Sequence, residues 1–251
     1  MGNDIQRVTG ADSSVQGEAT APHSPFPMLH SSVEIRSPLV VGLIGGVGSG
    51  KSQVAAAFAA RGARVVAGDD LAHEALRQPE IKAQIAKRWG QDVFDERGEV
   101  HRRRLGAIVF AKPDELRALE AIMHPWIRER IRGGVEEARR DPSVRLIVLD
   151  AAIMLEAGWN GICDRLVFID APNEERLRRV AGQRGWTAKD LESREHAQLP
   201  LTAKAARADH ILDNSGSLDG LGRQVDELLR LWGVTPEASS LRAGTAGTAE
   251  K

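Results

Sequence analysis

Residues 45–52 read Gly45-Gly46-Val47-Gly48-Ser49-Gly50-Lys51-Ser52, and no other stretch of the chain restricts its fold so strongly. The string matches G-x-x-x-x-G-K-[ST] in full. Residues 39–44 before it are an apolar run that suits a buried strand. Residues 52–61 after it place Val54 and Phe58 on one helical face, and Gly62 follows where such a helix would stop. Glycines let the backbone wrap a phosphate and aim N–H groups at it. The positive end of the next helix faces the same anion. Gly46, Val47, Gly48, Ser49, Gly50, Lys51, Ser52 and Gln53 are therefore the expected nucleotide-binding residues. Lys51 brings a point charge to the β- and γ-phosphates, and the Ser52 hydroxyl can join a Mg²⁺ shell. The motif names a nucleoside triphosphate; kinases, GTPases and motor ATPases share it.

The rest of the chain alternates in a way that extends this beginning. Short strands are expected at 64–67, 145–149, 165–169 and 211–212. Helices are expected at 69–76, at 173–183 with Asn173 as N-cap, and from Ser217 to Trp232 with Gly233 as the stop. Strand–helix alternation specifies a doubly wound, mostly parallel α/β sheet of about five strands. Residues 78–140 interrupt it with a block that has helical patterns and no convincing strand, and Pro125 should kink or divide that block. Residues 184–207 are Arg- and Glu-rich and read as two helical pieces broken by Pro200. Residues 1–37 and 235–251 are rich in Ser, Gly, Ala and Thr without a period, and read as disordered tails around a 38–234 domain.

In an open parallel sheet, ligands sit beyond the carboxyl ends of the strands. The second strand ends at Gly68-Asp69-Asp70. A carboxylate there would share the phosphate side of the sheet, where a group that takes a proton from an acceptor hydroxyl is needed. An Asp at that position also suits a helix N-cap, so the residues alone leave both roles open. Asp150, closing a later apolar strand, sits where a metal-orienting acid would be.

Composition narrows the classes further. The 251 residues carry a net charge of −1, which gives no pull toward nucleic acid. One cysteine, Cys163, excludes a disulfide framework and favours a reducing compartment. The seven histidines form no zinc-type pair, and no apolar run reaches the roughly 20 residues of a membrane span. The expectation is a cytoplasmic monomer or small homo-oligomer with no nucleic-acid or membrane partner.

With these residues in view, the chain resembles the dephospho-CoA kinase family from about residue 39 to residue 231. The glycine loop is close to that family's loop. Ala67-Gly68-Asp69-Asp70-Leu71-Ala72-His73 resembles its Asp-Ala-Asp element, with Asp69 on the second Asp and Ala67 replacing the first. His124-Pro125 resembles its His-Pro element. Ile153-Met154-Leu155-Glu156 resembles its Pro-Leu-Leu-x-Glu element, with Ala152 where proline is usual. Arg184, Gln198 and Ala208-Asp209 through Asp213-Asn214 resemble its closing segment.

The resemblance implies a P-loop kinase-type fold with a helical substrate-binding insert at about 78–140 and an Arg-rich helical lid at about 184–207. It implies transfer of the ATP γ-phosphate to the ribose 3′-hydroxyl of dephospho-CoA, with Mg²⁺ as cofactor. Lys51, Asp69 and Arg184 would then be catalytic, with Asp69 the general base, and Asp69, His124 and Glu156 would touch substrate. For Arg176, Arg178, Arg179, Arg194 and Arg207 the expectation is a solvated helix face. Trp186 is the one tryptophan expected on the lid rather than in the core. A kinase for another nucleoside or nucleotide shares the loop and lid and differs in the insert. A GTPase-type switch is disfavoured, because neither Asp-x-x-Gly string, at 95–98 and 219–222, ends a strand.

Overall fold

The apolar runs read from the sequence do pair into one sheet. A computed structural model describes residues 6–7 and 37–234, so the expected tails fall outside the described residues except for Gln6, Arg7 and Ser37. The strands are β1 (Gln6–Arg7), β2 (Leu39–Gly45), β3 (Arg64–Ala67), β4 (Leu146–Asp150), β5 (Arg165–Asp170) and β6 (His210–Asp213). Their order is β1-β6-β5-β2-β4-β3, and every pair is parallel. Five strands build the sheet, and the two-residue β1 adds an edge within the segment read as a tail.

The glycine loop leaves the middle of this sheet. β2 pairs with β5 on one side and β4 on the other, so the chain switches direction at the end of β2. Register aligns the exits: Leu43 and Ala67 both lie opposite Asp150, and Gly45 lies opposite Ile169. Everything that follows a strand therefore opens onto the same edge.

Alternation along β2 divides the core between two layers. Val41 and Leu43 pack with Val54 and Phe58 of α1 (Lys51–Ala59) and with Leu221, Val225 and Leu228 of α9 (Leu218–Leu231). Ile44 and Leu149 face the other way, into a cluster with Ala75 of α2 (Gly68–Ala75) and Ile127 and Ile131 of α5 (Pro113–Arg140). The insert comprises α3 (Pro79–Trp89), α4 (Arg102–Val109) and α5. The lid comprises the end of α6 (Asn173–Arg184), α7 (Ala188–His196) and α8 (Leu201–Ala205), with Pro200 as the N-cap of α8. Thr187 and Asp190 close a capping box on α7.

Two local expectations are corrected. Pro125 does not divide the insert: α5 runs 28 residues through it. Proline removes one backbone donor, but buried Met123, Ile127, Ile131 and Val135 continue the apolar stripe across that point and hold one helix. Asn173 is not the N-cap of α6. Pro172 holds that position, and the Asn173 side chain accepts from Arg176 Nη2 at 3.0 Å.

Candidate active site

Gly48 and Gly50 have φ of +75° and +87°, a region that disfavours any residue with a Cβ. At Gly50 a Cβ would also lie 2.3 Å from Asn214 Nδ2. The loop can thus turn tightly into α1, whose N-cap is Gly50. Lys51 folds back over it, donating to the carbonyls of Gly45 at 3.3 Å and Gly46 at 3.1 Å. Burial pulls the Lys51 ammonium down to about 8, with Lys204 adding repulsion and Asp150, Asp69 and Glu156 opposing the shift. A desolvated, partly unsatisfied cation in a cradle of backbone groups is a strong anion site.

A cavity of about 810 Å³ opens from this loop toward the insert. Val47, Gly48, Gly50, Lys51, Ser52 and Gln53 line it; Gly46 and Ser49, expected with them, lie behind. Ser49 is 1 % exposed and serves through its carbonyl, which accepts from Arg179 Nη1 at 3.0 Å and Asn214 Nδ2 at 2.8 Å. The far wall is mostly apolar, built by Leu116, Leu119, Met123 and Ile127 of α5 with Ile153, and Glu120 and His124 are its polar members.

Asp69 reaches this cavity; Asp70 lies on a separate groove with Arg64 and Arg130. The N-cap reading of the pair also fails, since α2 starts from Ala67 without a side-chain cap. Asp69 instead accepts a long hydrogen bond, 3.4 Å, from the amide of Ala152.

Asp150, weighed only as one option from the sequence, also lines the cavity and accepts from Ser52 Oγ at 2.8 Å. Burial pushes its carboxyl above the usual range, and the Ser52 hydroxyl and Lys51 oppose that.

His124 stands on the wall with its ring edge-on to buried Trp159, at 5.3 Å between centroids. Desolvation and Arg128 hold the imidazole below its usual value, which favours its neutral form. Arg184 reaches the cavity from the end of α6 and lies over Trp186, Cζ to centroid 5.0 Å. Arg194 lies between two rings, 4.2 Å from Phe110 of the insert and 4.8 Å from Trp186 of the lid. Glu156 does not line this cavity. Its carboxylate is taken by Lys204 Nζ and the amide of Leu199, both at 2.9 Å, which is where a buried carboxylate finds its compensation.

The solvated reading fails for three of the arginines. Arg176 is 4 % exposed and joins the Val47 carbonyl to Glu195. Arg179 ties Ser49 to the Asn214 carbonyl, the latter at 2.6 Å. Arg194 is the stacked cation just described. All three act on partners far along the chain, which helix patterning does not register.

A glycine loop at the switch point, opening onto one cavity that arginines of α6 and α7 also line, is the arrangement of the P-loop kinases as a class. Comparison with known proteins narrows the class. The family model for dephospho-CoA kinase matches residues 39–220. A dephospho-CoA kinase of Bacillus licheniformis is 38% identical over 195 residues, covering 77% of this chain and 96% of that protein. One from Corynebacterium diphtheriae is 37% identical over 191 residues, covering 75% and 94%. Among solved structures, TT1252 from Thermus thermophilus is 36% identical with a TM-score of 0.65, covering 78% of this chain and 98% of that one. The chain belongs to the dephospho-CoA kinase family.

Proposed function

We propose that this chain moves the γ-phosphoryl group of ATP onto the ribose 3′-hydroxyl of dephospho-CoA, releasing ADP and CoA, in the cytoplasm and as the last step of coenzyme A biosynthesis. The observation that carries this reading is the single cavity that joins the glycine loop to the apolar wall of the insert, in a chain of this family. ATP phosphates fit the backbone cradle beside Lys51, and the acceptor's less polar parts fit the α5 wall. Asp69 takes the 3′-hydroxyl proton as the new O–P bond forms and the bond to the β-phosphate oxygen breaks. Arg184, at the cavity margin, balances charge on the transferring group. His124 is a neutral hydrogen-bonding partner for the acceptor.

Mg²⁺ fits the residues present. Ser52 Oγ and Asp150 Oδ2 are hard oxygen donors 2.8 Å apart on the cavity wall. Among the described residues no three acidic, His or Cys side chains converge, so phosphate and water oxygens would complete the shell, as Mg²⁺ prefers. Held by Ser52 and Asp150, the ion would supply positive charge against the nucleotide phosphates.

Coupled ADP-release assays with a panel of acceptors test this reading. Dephospho-CoA should give the highest kcat/KM. Turnover with a nucleoside or nucleotide and none with dephospho-CoA would replace it with the rival acceptor class.

A further inference from the structure

Among the described residues, Lys204 is the most deeply buried charged side chain. Its side chain is 2 % exposed, on the short helix α8 just after Pro200. An ammonium at that depth is costly unless it is paired and hydrogen-bonded. It has two partners: Glu156 Oε1 at 2.9 Å and Gln198 Oε1 at 2.8 Å. Glu156 Oε1 also receives the Leu199 amide at 2.9 Å, while Glu156 Oε2 is buried with no partner. Three consecutive features of the lid's base, Gln198, Leu199 and the helix start after Pro200, are thus fastened to one carboxylate–ammonium pair.

The other side of that pair belongs to the reaction centre. Glu156 lies in the loop that follows β4, the loop whose Ala152 amide reaches Asp69 and whose Ile153 lines the cavity. The far end of the lid is Gly185, with φ of +66° at the end of α6. Between Gly185 and Gln198 the lid carries Trp186 and Arg194, while Arg184 stands at its threshold. The pair therefore fixes one of the two places where the lid meets the body.

Gln198 itself lines the cavity. Lysine can only donate, so the Gln198 group facing Lys204 must be its carbonyl oxygen. That assignment leaves the amide NH₂ as the free end, a neutral two-proton donor. In a cavity that the glycine loop also lines, such a donor suits a phosphate oxygen.

We propose that Glu156 and Lys204 are positioning residues for phosphoryl transfer: their buried ion pair locks the base of the lid to the loop after β4 and orients Gln198 so that its amide donates to a phosphate oxygen of the bound nucleotide. This rests on the kinase reading above. It also gives Glu156 a role other than direct substrate contact.

The experiment is a mutant cycle on kcat/KM for ATP, with the fold followed by thermal melting. Gln198→Ala removes a half-buried side chain and should lower kcat/KM by about tenfold or more, the scale of a hydrogen bond to a charged group. Lys204→Met alone strands Glu156, so its stability loss is uninformative. Glu156→Gln with Lys204→Met removes both charges together and should restore folding. In that double variant activity should remain about tenfold down, because Gln198 is no longer held. Adding Gln198→Ala to it should then cost almost nothing more. The proposal is overturned if the folded double variant has wild-type kcat/KM, or if Gln198→Ala loses the same factor in both backgrounds. Each factor is a ratio between variants measured with whichever acceptor the wild type uses. A different acceptor would therefore change the functional reading and leave this result readable.

Discussion

Asp69→Asn is expected to lower kcat by about 10²- to 10⁴-fold, the range that a positioned general base contributes. The substitution keeps size and polarity and removes the proton acceptor. Asp69 is exposed on the cavity wall in the first turn of α2 and makes one long bond, to the Ala152 amide. Little structure depends on it, and the lost helix-dipole term is about 0.3–1 kcal/mol. ATP binding should therefore survive, as read by calorimetry with a non-hydrolysable analogue. A near-normal kcat with intact binding would move the base elsewhere, and Asp150 would be the next carboxylate to test.

Lys51→Met should abolish most activity and yet stabilise the ligand-free protein. The activity loss, expected at about 10²–10³-fold or more, follows from deleting the cation that meets the phosphates. The stability gain follows from linkage. The folded protein holds Lys51 at about 8, below the ordinary 10.5. Between those values the unfolded chain binds more protons, so the fold gains stability as pH rises through the window. Below about 8 the whole penalty is present, on the order of 3 kcal/mol at about 1.4 kcal/mol per pK unit. Methionine removes that penalty and loses the two bonds to Gly45 and Gly46, which offset part of it. Thermal melts at pH 7 should show a higher Tm for the variant, with the gap narrowing toward pH 10. ATP should raise the Tm of the wild type and not that of Lys51→Met. A variant less stable than wild type at pH 7 would contradict the buried-cation account.

The parts of this molecule legible in the sequence are those written in local patterns. Apolar runs place β2 to β6 within a residue of where they are found, because parallel strands buried on both faces need continuous apolar stretches, while the two-residue β1 has no such run. Ser217 is the N-cap of α9, and its hydroxyl oxygen accepts from the Gly220 amide. Asn173 is not the cap because the helix starts one residue earlier, from Pro172 with no side-chain cap, and the Asn173 side chain accepts from Arg176 instead. The site divided along the same line. Lys51, Ser52 and Asp69 stand close to strand ends, where topology alone brings them to the cavity. Asn214, Arg176 and Arg179 support the glycine loop from 129 to 165 residues away, and no spacing rule encodes that. Glu156 shows the converse. The family resemblance implies a substrate contact for it, and a buried lysine 48 positions on, which the sequence presents as one more cation on a polar helix, has claimed it.

The acceptor is the claim on which the rest depends, and the product shows it most directly. Protein incubated with ATP, Mg²⁺ and dephospho-CoA should yield CoA, identified by mass and by a phosphorus NMR signal of a new phosphomonoester coupled to the ribose 3′ proton. ADP appearing without that 3′-phosphomonoester, or a phosphate placed on another oxygen, would contradict the account.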